Sequence, residues 1–394
     1  MRLSSEPAHG TCSADAPTES DKSFDWPALK DGDMTQTSKR PAVFAKFVNK
    51  EILGEWGRLL FSLLDAFALS GYEIRLFDSI PREDLGKYGA LVFSLQNLTL
   101  TNAVPSDTAD AIYVFDREDK AIGKRPWRKK VQVRFDVFSS YWFSDPIIMP
   151  YPMHPVQTGP DLSSRLQAYR RHERTVRIFF SGDTDGYVKN RICYPTDKLT
   201  RLDVINAILE RLGDKLSLVK DEASLAGLRA ANGYVNKFVL VESGGVRIEA
   251  KNWLSTLASS DFFLCPPGYV MPMCHNAVEA LAVGAIPITN YPEWFDPSLE
   301  HLKNCVVFND RSDLIDKLNS VLEMGDEQIA AMRQRAIDYY ENFLTPSSFT
   351  RRIESNKRRN AIVLMITDAN VSKNASRLNR HSILIRGASV RADV

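Results

Sequence analysis

The sequence has few cysteines, and their positions follow no regular spacing. Five are scattered along the 394 residues, namely Cys12, Cys193, Cys265, Cys274 and Cys305. This arrangement lacks both the ligand spacing of a metal site and the framework of a disulfide-stabilised secreted protein. Long apolar runs are also missing, because no stretch reaches the length of a bilayer span and residues 1–20 lack the apolar segment of a signal peptide. We therefore expect a cytoplasmic protein.

An excess of charge of one sign is absent as well. The net charge is +1, with 44% hydrophobic and 25% charged residues, which is typical of a globular protein with no electrostatic preference for nucleic acid. The length favours two domains. Residues 351–394 are a local exception, with ten Lys or Arg against three Asp or Glu. This segment is either a solvated basic tail or a peripheral contact with an anionic membrane.

Short apolar runs alternate with turn-forming segments through the first part of the chain. Residues 1–40 lack periodicity and are rich in Ser, Thr and Pro, so we expect a mobile tail. A strand over 41–48, a helix ending at Gly71 and a strand over 72–79 are then predicted to form a βαβ unit. Further strands are predicted over 90–97, 111–116, 131–138 and 146–152. Four prolines within 150–165 favour a domain boundary there.

The same alternation resumes after this boundary. Strands are predicted over 176–182, 237–243, 262–266, 285–290 and 304–310, and helices over 196–212, 248–259 and 273–283. Residues 310–358 are predicted to be helical, with an interruption at Pro346. The pattern predicts an α/β fold with two doubly wound Rossmann-like domains that face a cleft. Their predicted bounds are residues 41–158 and 159–345, followed by a crossing helix and basic tail over 346–394.

The stretch CPPGYVMPMCHNAVEALAVGAIPI, residues 265–288, carries the clearest local signals. Open α/β sheets bind ligands at the carboxyl ends of their strands, and here a strand is followed by a Pro-Pro-Gly loop. Backbone N–H groups near Gly268 and Tyr269, together with a helix that begins near Met273, predict a cradle for a phosphate or diphosphate. Gly284 is predicted to cap the carboxyl end of this helix.

His275, Asn276 and Glu279 lie at the start of this helix. His275 and Glu279 are four residues apart and so share one face. A carboxylate near an anion site repels phosphate, but it can accept hydrogen bonds from ribose hydroxyls. The alternatives are that Glu279 is an ordinary surface carboxylate or the partner of His275, and that His275 makes only a local polar contact.

The segment over 259–290 resembles the donor-binding module of glycosyltransferases with the GT-B architecture, and most resembles the exostosin-like group. The likeness is close over these residues and loose over 175–345. It implies that Glu279 contacts the nucleotide ribose and that Gly268 and the helix start face the diphosphate. His275 departs from the pattern, because exostosin-like proteins usually have Arg at this place.

A second cluster, RIFFSGDTDGYVKNR, spans most of the first strand of the second domain and the loop after it. In GT-B enzymes this loop lies against the donor phosphates, so the resemblance places Ser181 and Gly182 in the donor site. Lys189 and Arg191 then stabilise the charge on the leaving diphosphate, and Arg191 is favoured because a guanidinium grips two oxygens. A surface basic pair is the alternative.

Asp183 and Asp185 in the same segment form an acid-x-acid motif. This motif suggests a site for a divalent cation or, alternatively, an ordinary turn.

The first domain offers several candidates for a general base. These are Glu51, Glu55, Asp136 and His154. Glu55 is favoured because it follows a strand end that faces the cleft, although a Glu at this place also offsets a helix dipole. Arg58 is a candidate contact for an acidic or phosphorylated acceptor.

The sequence therefore predicts a glycosyltransferase that moves a sugar from a nucleotide-diphosphate donor to a glycan or glycolipid acceptor. The nucleotide sugar is a co-substrate, and no metal, cofactor or nucleic acid is expected. Two alternatives stay open: a sugar-nucleotide epimerase of the same fold, and a non-catalytic protein that binds nucleotide sugar or glycan.

Overall fold

The chain folds around two parallel sheets. The computed structural model describes residues 41–374 apart from residues 105, 140, 142–144, 183–197, 222, 225–236, 243–245, 247 and 269–270. In these residues the first sheet has seven strands in the order β3-β2-β1-β4-β5-β13-β6, and the second has six in the order β12-β11-β10-β7-β9-β8. Every strand pair in both sheets is parallel. The predicted α/β fold with two Rossmann-like sheets is confirmed.

The strands of both sheets are short, as is usual in doubly wound folds. The first sheet contains β1 (Ala42–Lys46), β2 (Glu73–Phe77), β3 (Leu98–Thr101), β4 (Ile112–Phe115), β5 (Lys129–Arg134), β6 (Ile147–Ile148) and β13 (Asn360–Leu364). The second contains β7 (Val176–Gly182), β8 (Leu216–Val219), β9 (Phe238–Glu242), β10 (Ser260–Leu264), β11 (Ile286–Thr289) and β12 (Val306–Val307).

Helices connect the strands and cover the sheets. They are α1 (Arg58–Leu69), α2 (Gly86–Gly89), α3 (Lys120–Gly123), α4 (Leu162–Arg170), α5 (Arg201–Arg211), α6 (Ala250–Leu257), α7 (His275–Val283), α8 (Arg311–Leu322), α9 (Asp326–Tyr339), α10 (Pro346–Ser355) and α11 (Asp368–Asn374). A π-helical turn, Tyr340–Leu344, joins α9 to α10. Among the described helices, none is both long enough and apolar enough to cross a membrane.

The second sheet is buried on both faces, which explains its continuous apolar strands. Phe179 and Phe263 lie in one cluster with residues of α6 and α7, whereas Ile178 and Phe262 lie in another with residues of α5 and α8. Parallel strands covered on both sides have this composition because neither face meets water. The expected glycine cap is also confirmed, since Gly284 ends α7 in the left-handed region at φ 78°.

Residues near the carboxyl end return to the first domain. Helix α10 packs on α1, where the hydroxyl oxygens of Ser70 and Thr350 lie 2.8 Å apart. Strand β13 is then inserted between β5 and β6. Helix α10 lies where the crossing helix was predicted, but the expectation that only a basic tail follows it is corrected, because residues 360–364 complete the first sheet. This strand has buried apolar side chains and pairs with β5, more than 220 residues earlier in the chain. The basic charge of the local sequence does not predict such a long-range pairing.

The predicted strand over 90–97 is also wrong. Ala90–Ser94 forms a short 3₁₀ helix that contacts α1, and strand β3 begins only at Leu98. A short apolar run suits either element, so its periodicity does not distinguish them. Elsewhere, β6 ends at Ile148 and β7 begins at Val176, and the predicted domain boundary lies between these strands.

Candidate functional site

The loop between β10 and α7 is tightly packed. Cys265, Pro266, Pro267 and Gly268 are all buried, and the Gly268 N–H donates to the Pro272 carbonyl at 3.1 Å. A Cβ atom at Gly268 would lie 2.7 Å from a backbone oxygen of the same loop, so no larger residue fits without displacement. The structure thus corrects the expectation that the Gly268 N–H faces a ligand: it closes the loop instead.

The start of α7 leaves backbone donors without partners. Cys274 is the N-cap, with extended φ and ψ of −137° and 153°, and its side chain makes no capping bond. Within the described part of the chain, the N–H groups of His275 and Asn276 have no hydrogen-bond acceptor. These groups carry the positive end of the helix dipole. Among the described residues of the predicted cradle, the helix start is therefore the part that can receive an anion.

Two buried arginines flank this helix start. Arg58 Nη1 lies 3.4 Å from His275 Nδ1, although Arg58 belongs to the first domain. Arg201 donates from Nε to the Pro267 carbonyl at 3.1 Å. Each arginine is the first residue of its own helix, α1 or α5, where a cation is unfavourable because it meets the positive end of the dipole. Local rules are broken most often at functional sites, so this shared feature adds support to a site here.

Arg201 was missed in the sequence. The segment Thr200-Arg201-Leu202-Asp203 shows a capping box, which the structure contains. The position of Arg201 directly after the cap was the sequence feature that could have identified it as a site residue. A Cβ atom at Gly182, the last residue of β7, would lie 3.3 Å from Arg201 Nη1, so the ends of β7 and β10 meet at this side chain.

Glu55 and Tyr151 hold Arg58 in place. The Glu55 carboxylate pairs with the Arg58 guanidinium and accepts from the Tyr151 hydroxyl at 2.9 Å, and Arg58 also donates to that hydroxyl. The backbone here is strained, because the non-glycine residues Glu55 and Trp56 have φ of 57° and 60°. Glu55, the favoured base in the sequence, thus has its carboxylate engaged, and its visible role is to position Arg58. Arg58 itself lies at the start of α7 rather than at a separate acceptor surface.

Glu279 is fully buried at the junction of the two domains, with 0% of its surface exposed. Its Oε1 accepts from the His154 N–H at 2.8 Å, and its Oε2 accepts from Trp253 Nε1 at 2.6 Å. Burial raises the pKa of Glu279 to about 7. Neither a surface position nor a pair with His275 is therefore correct. Contact with a ribose stays a prediction, and a carboxylate with two bonds keeps lone pairs that can accept more.

The two histidines at this junction are held neutral. Val156 N–H donates to His154 Nδ1 at 3.2 Å, so the ring proton lies on Nε2, 2.9 Å from the Tyr88 hydroxyl. Burial, with Arg58 and Lys87, lowers the pKa of His154 to about 4. Burial, Arg58 and His154 likewise lower the pKa of His275. The positive potential at the helix start comes from the arginines and the helix, not from histidine.

Asp368 is a further acidic group that the sequence did not reveal. It follows β13 at the carboxyl edge of the first sheet and is half-buried. Burial raises the pKa of its carboxyl group, while nearby Arg58 lowers it. Within the described residues its carboxylate makes no hydrogen bond, unlike that of Glu55. No local signal identified Asp368, because its position depends on the long-range pairing of β13.

The remaining predicted residues are placed as follows. Ser181 is buried near the end of β7, beside Gly182. Tyr269, Lys189, Arg191 and the acid-x-acid pair Asp183 and Asp185 lie outside the described residues. In the chain that the structure does describe, no three His, Cys, Asp or Glu side chains are placed to share a metal ion.

Comparisons with known proteins identify no family. No protein-family model matches the chain, and no curated protein matches it. Similar solved structures include Anabaena HepE in complex with UDP and glucose, at 12% identity over 80% of this chain and 98% of that one, with a TM-score of 0.39. An alpha-glucosyltransferase in complex with UDP and DNA has 12% identity over 81% and 99%, with a TM-score of 0.39. At these values the likeness carries no argument about activity.

Proposed function

We propose that the protein is a glycosyltransferase that moves a sugar from a nucleotide-diphosphate donor to a hydroxyl of a glycan or glycolipid. One observation carries the proposal: the carboxyl edges of two Rossmann-like sheets meet, and Arg58 of one lies 3.4 Å from His275 at the open helix start of the other. Ligands of open α/β sheets bind at such edges. A junction between two of them can hold two substrates side by side.

The second domain binds the donor in this proposal. The N–H groups of His275 and Asn276 receive the diphosphate, and Arg58 and Arg201 add positive charge beside them. Glu279 and the Ser181-Gly182 strand end complete the donor side, and Lys189, Arg191 and Tyr269 stay donor contacts proposed from the sequence alone. As the bond from the anomeric carbon to the phosphate oxygen breaks, its electron pair remains on the diphosphate, which these groups stabilise.

The first domain activates the acceptor. In an inverting transfer, a base takes the proton of the acceptor hydroxyl while the oxygen attacks the anomeric carbon. Asp368 suits this role better than Glu55, because burial raises the pKa of Asp368 and the Glu55 carboxylate is paired with Arg58. Glu55 then acts as a positioning residue. The reaction as proposed requires no metal.

A thermal-shift screen with UDP-, GDP-, ADP-, dTDP- and CMP-sugars tests the proposal. A ligand that binds only the folded protein raises its apparent stability by mass action, so one nucleotide family should raise the melting temperature. Product analysis with and without an acceptor panel follows, in EDTA. Turnover only with an acceptor supports transfer. Turnover without acceptor indicates an epimerase, binding without turnover indicates a binding protein, and a uniform null contradicts the donor site.

A further inference from the structure

A second pocket lies at the carboxyl edge of the first sheet. Strand β1 pairs with β2 on one side and β4 on the other, so the strand order reverses between β1 and β4. Such a switch point is the general ligand site of open α/β sheets. A solvent-open pocket of about 480 Å³ occupies it. Its lining includes Asn49, Glu51, Asp116, Gln132, Asp136 and Asn370.

Two side chains that line the pocket each carry a buried oxygen atom without a partner among the described residues. Asn370 is 8% exposed, and its Oδ1 accepts no hydrogen bond from the described residues. Oε2 of Glu51 is also buried and, in the same part of the chain, has no donor. A buried polar atom without a partner costs about 1–3 kcal/mol in general. A ligand that donates hydrogen bonds relieves this cost once the two side chains turn toward it.

The charge of the pocket is negative. Glu51, Asp116 and Asp136 supply three carboxylates, and the one cation among the described lining residues, Arg134, is occupied by Asp136. Arg134 donates from Nε and Nη2 to that carboxylate at 3.1 and 2.7 Å. An anionic ligand would meet the carboxylates of Glu51 and Asp116, which no cation among the described lining residues pairs. Hydroxyl and ammonium groups are donors without negative charge and therefore suit this lining.

We propose that this pocket binds the acceptor sugar and selects an uncharged or amine-bearing polyhydroxyl group over phosphorylated or uronic acid sugars. The assignment as an acceptor site rests on the proposed function, whereas the selectivity rests on the pocket alone. It replaces the expectation that Arg58 binds an acidic acceptor. Arg58 lies against Glu55 and His275 instead.

Saturation-transfer NMR with methyl glucoside, glucosamine and glucose 6-phosphate tests the proposal on the full-length protein. We expect saturable contact with the first two sugars and at least tenfold weaker contact with the phosphate. Asn370→Ala should weaken binding at least fivefold, whereas Asn360→Ala, at an exposed position of β13, should not. Glu51→Gln should reduce the discrimination against glucose 6-phosphate, and this readout remains if Asn370→Ala fails to fold.

Phosphate binding as strong as methyl glucoside binding overturns the proposal, as does the absence of saturable contact with all three sugars. Nucleotide binding measured on the same samples separates it from the proposed function. Nucleotide binding without sugar contact removes the pocket assignment alone. Sugar selectivity without nucleotide binding supports the pocket and contradicts the glycosyltransferase.

Discussion

The carboxyl edges of the two sheets differ in the hydrogen-bonding groups that they present. The edge of the second sheet is tightly packed and rich in donors, with the open N–H groups of His275 and Asn276 beside Arg201. The edge of the first sheet contains an open pocket lined by carboxylates and amides, and among the described residues Glu51 and Asn370 of this lining each have a buried oxygen without a partner. Hydrogen-bond donors suit a diphosphate and hydrogen-bond acceptors suit a sugar, so each edge is suited to one of the two proposed substrates.

The two edges are held together by a small number of polar contacts. Arg58 extends from the first domain to His275, and the His154 N–H extends from the connection to Glu279. Both contacts involve buried charged side chains, which are costly unless they are paired. Substitutions at the residues that make these contacts in the first domain or the connection are therefore expected to change the carboxyl edge of the second sheet as well.

The largest expected effect is that of Gly57→Ala. Gly57 has φ 81°, and a Cβ atom there would lie 2.2 Å from the Leu85 carbonyl oxygen and 2.4 Å from Gly89 Cα. Backbone atoms cannot yield as a flexible side chain does, so we expect a loss of about 4 kcal/mol in unfolding free energy. Urea denaturation measures it.

Gly71→Ala is the matched control for this change. Gly71 has φ 84°, but no atom lies within 4 Å of its Cβ position among the described residues. The left-handed conformation alone should cost about 1 kcal/mol. Equal losses of unfolding free energy for the two variants would show that the close backbone contacts at Gly57, directly before Arg58, do not constrain the carboxyl edge of the first sheet.

Arg58→Met is next in size. The change leaves the buried Glu55 carboxylate without its cation, and breaking a buried pair on one side costs about 3–5 kcal/mol. The double variant Glu55→Gln/Arg58→Met removes both charges and should be at least about 1 kcal/mol more stable than Arg58→Met alone. If the effects of Glu55→Gln and Arg58→Met on the unfolding free energy simply add in the double variant, the pairing of the two side chains is contradicted.

The pH dependence of stability tests Glu279 at the junction. Its pKa rises from 4.5 to about 7 on folding, so the folded state binds this proton more tightly. The resulting stability is fully present below about pH 4.5 and is lost as the pH rises through about 7. Between pH 5 and 8, the wild type should lose about 2.5 kcal/mol relative to Glu279→Gln. Glu323→Gln, at a largely exposed carboxylate, should follow the wild type, and a parallel curve for Glu279→Gln would refute the raised pKa.

The smallest effect distinguishes two helix caps. Thr200 caps α5 directly before Arg201, and Thr345 caps α10 in the first domain. Replacing either with Ala should cost about 1 kcal/mol. Only Thr200→Ala should also weaken nucleotide binding severalfold, because it loosens Arg201. Isothermal titration of both variants checks this, and equal nucleotide affinities would show that Arg201 does not contribute to nucleotide binding.

Local signals were sufficient for much of the second domain. Strand β7 occupies residues 176–182 as predicted, and α7 ends at its glycine cap, because turn and cap residues act within a few positions. The partners of Glu279 could not be predicted, since His154 is 125 residues away in sequence. Asp368 was missed for a similar reason: it is placed by β13, whose partner β5 lies far earlier in the chain.

The central claim is that the first N–H groups of α7 receive a diphosphate, and a proline substitution tests it most directly. Cys274 is extended, as a residue before proline must be, and His275 is the first helical residue, where proline is tolerated. His275→Pro removes the N–H and the side chain, whereas His275→Ala removes only the side chain. Titration with the nucleoside diphosphate selected by the thermal screen should show about tenfold weaker binding for the proline variant than for the alanine variant. Equal dissociation constants for two folded variants would contradict the account.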